Sequence, residues 1–448
     1  MDLYSLEKFK KYKSDWNYPI QIRYQAQVVA NKKCPVTFQT AIKGILIIGQ
    51  CFALNPVLGI CEKDASKLRF RFTSWRCAYA VLSLIGQISM TTIVFFSLFK
   101  ESSSVVDSAT NFIFYCFGFI TTILFLRIAM KWPKLCDQIS KIESADPNTD
   151  TKLKLKFHVS GILVMSLALL EHLLFKLHAI SLAAGCESDK SVYENYVMHS
   201  FSWIFIYLPY NSFVGFLCHF FNIQCTFNWN FCDLFVICMS LYLTSRLEQV
   251  NRRVVAAKDK NSPSSFWRTI REDYNKSVQL VREVDSIIGG IVFISFASNL
   301  FFICSQLLHT LAGGMNSIPE CGPQSAAEQR ILFGYEHSIY FAYSFAFLVA
   351  RSLTVSLTAA RVHAASLEPA YSLYDVSSAT FCVEIERFLE QIHGDTVALS
   401  GLQFFNVKRG LVLTVSLSIV FLSLYFITLT PMFHQHRSFL VARLLILI

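Results

Sequence analysis

RLEQVNRRVVAAKDKNSPSSFWRTIREDYNKSVQLVR, residues 246–282, carries nine lysines and arginines and no apolar run long enough to cross a bilayer. Strongly apolar stretches flank it on both sides, and segments of this charge stay on the cytoplasmic side of a membrane. Its position therefore constrains how many spans precede and follow it. Residues 1–76 obey the same rule, with thirteen basic residues, including Lys8, Lys10, Lys11 and Lys13 in the run Glu7–Trp16. No short apolar core followed by a cleavage site occurs there, so the N-terminus reads as cytoplasmic and without a signal peptide.

A chain of 448 residues that is 53% hydrophobic, 15% aromatic and only 16% charged has more apolar surface than one soluble core uses. Runs near the roughly 20 residues of a helical span fall at 77–99, 109–130, 158–184, 287–312, 337–359 and 410–430, with a composite region at 199–247. Two spans in the composite would put the basic segment outside. Taking 223–247 as the fourth span leaves Phe201–Phe221, interrupted by Pro209, as an extracellular loop folded back on the bundle. The inside segments then hold 13, six and nine basic residues, against Lys100, Lys190 and Arg330 in the first three outside loops. The expectation is an all-α, seven-transmembrane helical protein with a cytoplasmic N-terminus and an extracellular C-terminus, the reverse of a G-protein-coupled receptor. It divides into a cytoplasmic region 1–76 with a juxtamembrane helix, a six-helix ligand-binding bundle 77–359, a cytoplasmic helical region 360–409, and a last helix with its tail, 410–448.

The formal charge of +9 does not point to nucleic acid, because the basic residues flank the spans, where they set topology and meet anionic lipid. Of the fourteen cysteines, Cys77, Cys116, Cys232, Cys238 and Cys304 sit in apolar helices as small hydrophobes. Cys186 and Cys321 lie in polar outside loops, either bridged or as two separate thiols. The sequon Asn275-Lys276-Ser277 falls inside and should be silent. No motif for catalysis, nucleotide, metal or cofactor occurs, and His434 with His436 lacks the further ligands of a tetrahedral site.

Polar groups inside spans are costly and therefore functional candidates. Asn299, Phe302, Gln306 and His309 follow i, i+3, i+7, i+10 along one face of the fifth span. His337, Tyr340, Tyr343 and Ser344 lie at matching depth in the sixth. Glu171, His172, Lys176 and His178 in the third span, and Gln224, Trp229, Asn230 and Asp233 in the fourth, reach the same level, with Tyr207, Tyr210 and Asn211 as a lid. Carboxylates and amides that bond adjacent hydroxyls, with rings against C–H faces, suit a small-molecule sugar. The alternative is hydrogen bonding between helices. Phe381, Ile385, Phe388, Leu389 and Ile392 recur at helical spacing opposite Glu384, Glu386, Arg387 and Glu390. That amphipathic helix either joins subunits or packs on its own chain.

Ser295-Phe296-Ala297-Ser298-Asn299-Leu300-Phe301-Phe302-Ile303-Cys304 and Leu399-Ser400-Gly401-Leu402-Gln403-Phe404-Phe405-Asn406-Val407 resemble segments of the insect gustatory receptor family, in its sugar-receptor branch. Glu171-His172-Leu173-Leu174, Pro209-Tyr210, and Trp229 with Asp233 add weaker likeness. The resemblance covers about 45–414. It implies a ligand-gated, non-selective cation channel in the cell membrane, built as a homo- or hetero-tetramer around a pore lined by the last helix, with sugar held in an outward pocket of each subunit. The family's last helix carries Thr-Tyr, five mostly apolar residues and Gln-Phe. Here the stretch reads Leu424-Tyr425-Phe426-Ile427-Thr428-Leu429-Thr430-Pro431-Met432-Phe433, leaving Tyr425, Thr428 and Thr430 as pore candidates. The departure after Thr414, where Val415-Ser416 fits a retained intron's donor site, predicts a splice or gene-model variant. A secondary sugar transporter would show internal repeats, and an odorant-type channel a less polar pocket.

Overall fold

The computed structural model describes residues 37–62, 65–100, 105–145, 150–184, 191–260, 262–311, 336–378 and 380–411. Cys186, Cys321, His434, His436 and the pore candidates Tyr425, Thr428 and Thr430 lie outside the described residues, as does nearly all of the expected last span.

The architecture is set by one central helix. Asn211 is extended, and its side-chain oxygen accepts a hydrogen bond from the Phe213 N–H at 2.8 Å, which satisfies a free donor and starts a helix. No proline follows until Pro263, so the helix runs Ser212–Ala257 (hereafter α7) without a break. At 1.5 Å per residue it is roughly 69 Å long, more than twice a hydrocarbon core. This corrects the sequence reading of the composite region. Residues 212–221 belong to α7 rather than to a folded-back loop, because Pro209 stands ahead of the cap instead of interrupting the helix. The basic stretch 246–282 is a helical hairpin linked by residues 258–263, whose second arm is Ser264–Leu311 (α8).

In chain order the other helices are Phe38–Cys51 (α1), Trp75–Ser97 (α2), Val105–Ala145 (α3), Leu153–Ala184 (α4), Val192–Ser200 (α5), the single turn Ser202–Phe205 (α6), Glu336–Tyr374 (α9) and Val383–Gly394 (α10). A two-residue ladder follows, Ser400–Gly401 (β1) antiparallel to Phe405–Asn406 (β2). Caps fit the starts: Ser74 accepts from the Cys77 N–H at 3.2 Å and Ser191 from the Glu194 N–H at 3.2 Å. Helices α3 and α9 each hold a proline, Pro133 and Pro369.

Among the described residues, five helical segments are long and apolar enough to cross a membrane, within α2, α3, α4, α8 and α9. The central α7 packs against α3, α4, α8 and α9 and falls short on composition because it carries Asn228, Asn230 and Asp233, all buried. The pattern is that of a bundle in lipid: Leu82, Ile85, Ile162, Leu163 and Leu173 point outward and exposed, while polar residues point in.

The two ends of the bundle differ. At the charged end, Arg253 pairs with Asp273 at 2.8 Å, Arg271 with Glu384 at 3.0 Å, Arg282 with Asp395 at 2.9 Å, and Arg361 bridges Glu248 and Glu368 at 2.9 and 3.0 Å. Helix α10 buries Ile385, Phe388 and Ile392 against its own chain, with Phe388 on Tyr274 at 5.1 Å. At the other, aromatic end, Trp203, Phe201 and Tyr196 of the α5–α6 segment close over Tyr115 and α7.

The turn through β1 and β2 is welded to α8. The Ser400 N–H and hydroxyl both donate to Asp285, at 2.6 and 2.8 Å, and the Leu402 N–H donates to the Gly289 carbonyl at 3.2 Å. Leu402 and Gln403 take φ of 51° and 64°, a left-handed conformation unusual for either residue type. Phe405 lies so close over Gly401 that a Cβ there would sit 2.4 Å from the ring, which only glycine tolerates.

Candidate functional site: a polar column through the bundle

Four helices contribute to one column of polar side chains. Its base is a buried ion pair, Arg351 of α9 on Asp233 of α7 at 2.8 Å, with side chains 1% and 0% exposed. An unpaired charge at this depth would be strongly disfavoured, so each requires the other and further hydrogen bonds. Those are present. Asp233 also accepts from the Ser295 hydroxyl and, at 3.1 Å, from the Asn299 amide of α8. Arg351 donates to Asn230 and, at 3.3 Å, to the Asn299 carbonyl oxygen. Asn299 thus uses both ends of its amide to join the acid and the base.

Above this base lies an aromatic shelf. The Arg351 guanidinium sits over Trp229 at 4.1 Å and near Phe347 at 5.2 Å, and Trp229 packs on Phe302 at 4.5 Å. The buried Trp229 indole N–H has no acceptor among the described residues. Further toward the aromatic end, the Ser344 hydroxyl donates to Glu171 at 2.6 Å and accepts from the Gln306 amide at 2.9 Å, which ties α4, α8 and α9 together. Tyr343 donates to the Leu167 carbonyl at 3.0 Å. Tyr340 lies against Phe175 at 5.5 Å and parallel to His178 at 6.3 Å, and His178 approaches His337 at 3.4 Å.

Asn299, Phe302 and Gln306 therefore form one inward stripe, as their spacing requires, and meet Asp233, Trp229, Glu171, His337, Tyr340 and Tyr343 in the column. Five expected members stand elsewhere. His172 and Lys176 face α7 and the α5–α6 segment, on another side of α4 from Glu171. Asn211 is spent on the α7 cap and is exposed, and Tyr210 packs on Phe205 at 5.8 Å beside it, at the end of the bundle. Gln224 belongs to a separate network with Gln87 at 3.0 Å and Ser83 at 2.9 Å. The residue that sequence reasoning missed is Arg351. Its signal was present, since a lone arginine inside an apolar run is itself a functional candidate.

No group of three or more His, Cys, Asp or Glu suited to a metal occurs among the described residues. A family model described as "Trehalose receptor" matches residues 23–436. The chain belongs to the trehalose receptor family. The match extends beyond both limits of the resemblance read from the sequence, and past Thr414 it includes Tyr425, Thr428 and Thr430. The tail to residue 436 thus lies within the matched range, and it still lacks the Gln-Phe pair.

Among relatives of this family member, "Gustatory receptor for sugar taste 64f" of Drosophila melanogaster is 32% identical over 86% of this chain and 79% of its own length. "Gustatory receptor 5a for trehalose" of the same organism is 31% identical over 85% and 82%. In fold, the chain is similar to the insect olfactory receptor OR5 of Machilis hrabei, solved in complex with eugenol. The TM-score is 0.61 at 12% identity, over 87% of this chain and 97% of that one. With the helical bundle above, this establishes an all-α, seven-span fold.

Proposed function

We propose that this chain is a gustatory receptor subunit for sugars in the plasma membrane, opening a non-selective cation pore when sugar occupies the column between α4, α7, α8 and α9. The observation that carries the reading is the column itself. An apolar bundle holds a carboxylate at Glu171, a serine at Ser344, an amide at Gln306 and the unmatched Trp229 indole beside two tyrosines. Hydroxyl-rich ligands need such convergent donors and acceptors, because a single hydroxyl contact gains little over water. The names of the relatives support sugar over an odorant, and so does the density of ionisable groups.

Glu171, Gln306, Tyr340, Tyr343 and His337 are assigned to the ligand, with Phe302 and Trp229 as its stacking surface. Asp233, Asn299 and Arg351 form the floor that holds the helices in register. The N-terminus and the charged end lie in the cytoplasm, following the positive-inside rule. Subunits assemble as a homo- or hetero-tetramer in contact with membrane lipid, around a pore lined by the last helix with Tyr425, Thr428 and Thr430.

Whole-cell currents under a sugar panel test this, from the native chain and from one carrying the Gln-Phe last helix of the sugar-receptor branch after Thr414. Current from the native chain is expected. Current from the graft alone would leave the sensor reading intact and remove the pore assignment, and no sugar current from either would overturn the proposal.

A further inference from the structure

The face of α4 turned away from Glu171 carries a second constellation with the opposite charge. Lys176 and His172, one turn apart on α4, look toward α7 and the α5–α6 segment. The Lys176 ammonium lies 3.2 Å from His219 Nδ1 of α7. An ammonium only donates, so Nδ1 must accept and the proton of the neutral ring sits on Nε2. That Nε2 is buried and has no partner among the described residues. The same is true of His172 Nε2, in a residue only 8% exposed.

The walls are aromatic. Tyr196 stacks on His219 at 4.9 Å, and Phe201 meets its edge at 4.9 Å. Lys176 lies 5.4 Å from the Phe175 ring, 5.5 Å from Tyr196 and 6.0 Å from Phe201. Among the described residues no aspartate or glutamate reaches ion-pair distance of Lys176. Ring faces attract a cation but do not accept all of its N–H groups, and a half-buried ammonium without a counter-charge is a costly arrangement.

We infer that this cluster is a second ligand site, distinct from the sugar column, which takes a small organic acid with a flat or apolar body. The carboxylate would accept from the Lys176 ammonium, supplying the counter-charge that no described residue provides. The body would lie against Tyr196 and Phe201. Charge-assisted hydrogen bonds to a carboxylate are the stronger kind, so a neutral isostere should bind much less well. The site shares α4 with the sugar column but none of the ligand residues assigned there, so the inference does not depend on what the column binds.

The test uses the purified full-length chain in detergent micelles, with benzoate as probe and benzamide as its uncharged counterpart at matched ionic strength. Benzoate should raise the unfolding temperature saturably, with a dissociation constant on the order of 1 mM, while benzamide should not. Lys176→Met should weaken the benzoate effect about tenfold or more, and Lys176→Arg should retain most of it. If Lys176→Met does not purify as a single species, Lys176→Gln, which keeps a polar chain but removes the charge, replaces it with the same expectation. An absent or non-saturable benzoate effect, an equal benzamide effect, or full retention in the variants would overturn the inference.

Discussion

The charged end and the polar column both rely on ion pairs, yet they use them in opposite ways. At the charged end the pairs are many and partly wet: Arg253 and Asp273 keep 30% and 20% of their side chains exposed, Arg282 and Asp395 more. Water screens them, and losing one leaves two solvated charges. In the column a single pair, Arg351 with Asp233, is almost wholly removed from solvent and bound on every side by Ser295, Asn230 and Asn299. The first arrangement tolerates change and sets orientation. The second tolerates little and fixes how three helices meet.

The sharpest way to break this contrast is Arg351→Met, which strands Asp233. A cost of about 3–5 kcal/mol is expected, read as loss of the monodisperse peak or a large drop in unfolding temperature. Adding Asp233→Asn should recover a substantial part, since no buried charge then remains. If the double variant is no better than the single one, the two groups are not coupled as described.

Next in size is Asn299→Ala, which removes the amide linking acid and base. It should cost about 1–3 kcal/mol of stability and abolish sugar-evoked current while protein still reaches the surface. Tyr340→Ala should likewise remove the current, with a smaller change in unfolding temperature. Unchanged dose–response curves for both would return these residues to packing alone.

A milder change is Ser344→Ala, which unties Glu171 from Gln306. One hydrogen-bond relay is lost, so a rightward shift of the sugar dose–response by about tenfold is expected. At the charged end Arg253→Ala should change stability by less than about 1 kcal/mol. There the hydrogen bond from Arg271 holds the Glu384 carboxyl below its ordinary value. A depressed carboxylate stabilises the fold above its unfolded value, and that contribution fades as the pH falls through the depressed one. Arg271→Ala should therefore flatten the acid limb of a stability–pH profile by lowering stability slightly at neutral pH, with little change below the depressed value.

Much of this was legible before the structure because it follows from period and charge. The stripe Asn299, Phe302, Gln306 needed only 3.6 residues per turn, and the amphipathic helix around residues 381–392 followed from its apolar spacing. What escaped depended on neighbours. Nothing in the local pattern distinguishes Glu171 from His172 as pocket members, since both lie on α4 and only the packing of α7 and α9 separates their faces. The composite region 199–247 misled because Pro209 was read as a break within a segment, whereas Asn211, two residues on, supplies the cap that starts a new helix. Arg351 was overlooked because its neighbours are apolar enough to conceal one charge in a hydropathy average.

The two segments that carried the family likeness, near Asn299 and near Ser400, touch in space: Phe296 of α8 lies 5.5 Å from Phe405 of β2. Through Asp285 and Gly289 the same helix grips the turn that leads into the last span. Gly289 and Asn299 are ten residues apart, about 15 Å along a rigid rod. In mechanical terms α8 would serve the proposed function as a lever, with the polar column on one arm and the turn at residue 400 on the other. A tilt of roughly 5° at the column would displace the turn by about 1 Å, so under the proposed function a contact made at Phe302 and Gln306 would reach residue 400 as motion.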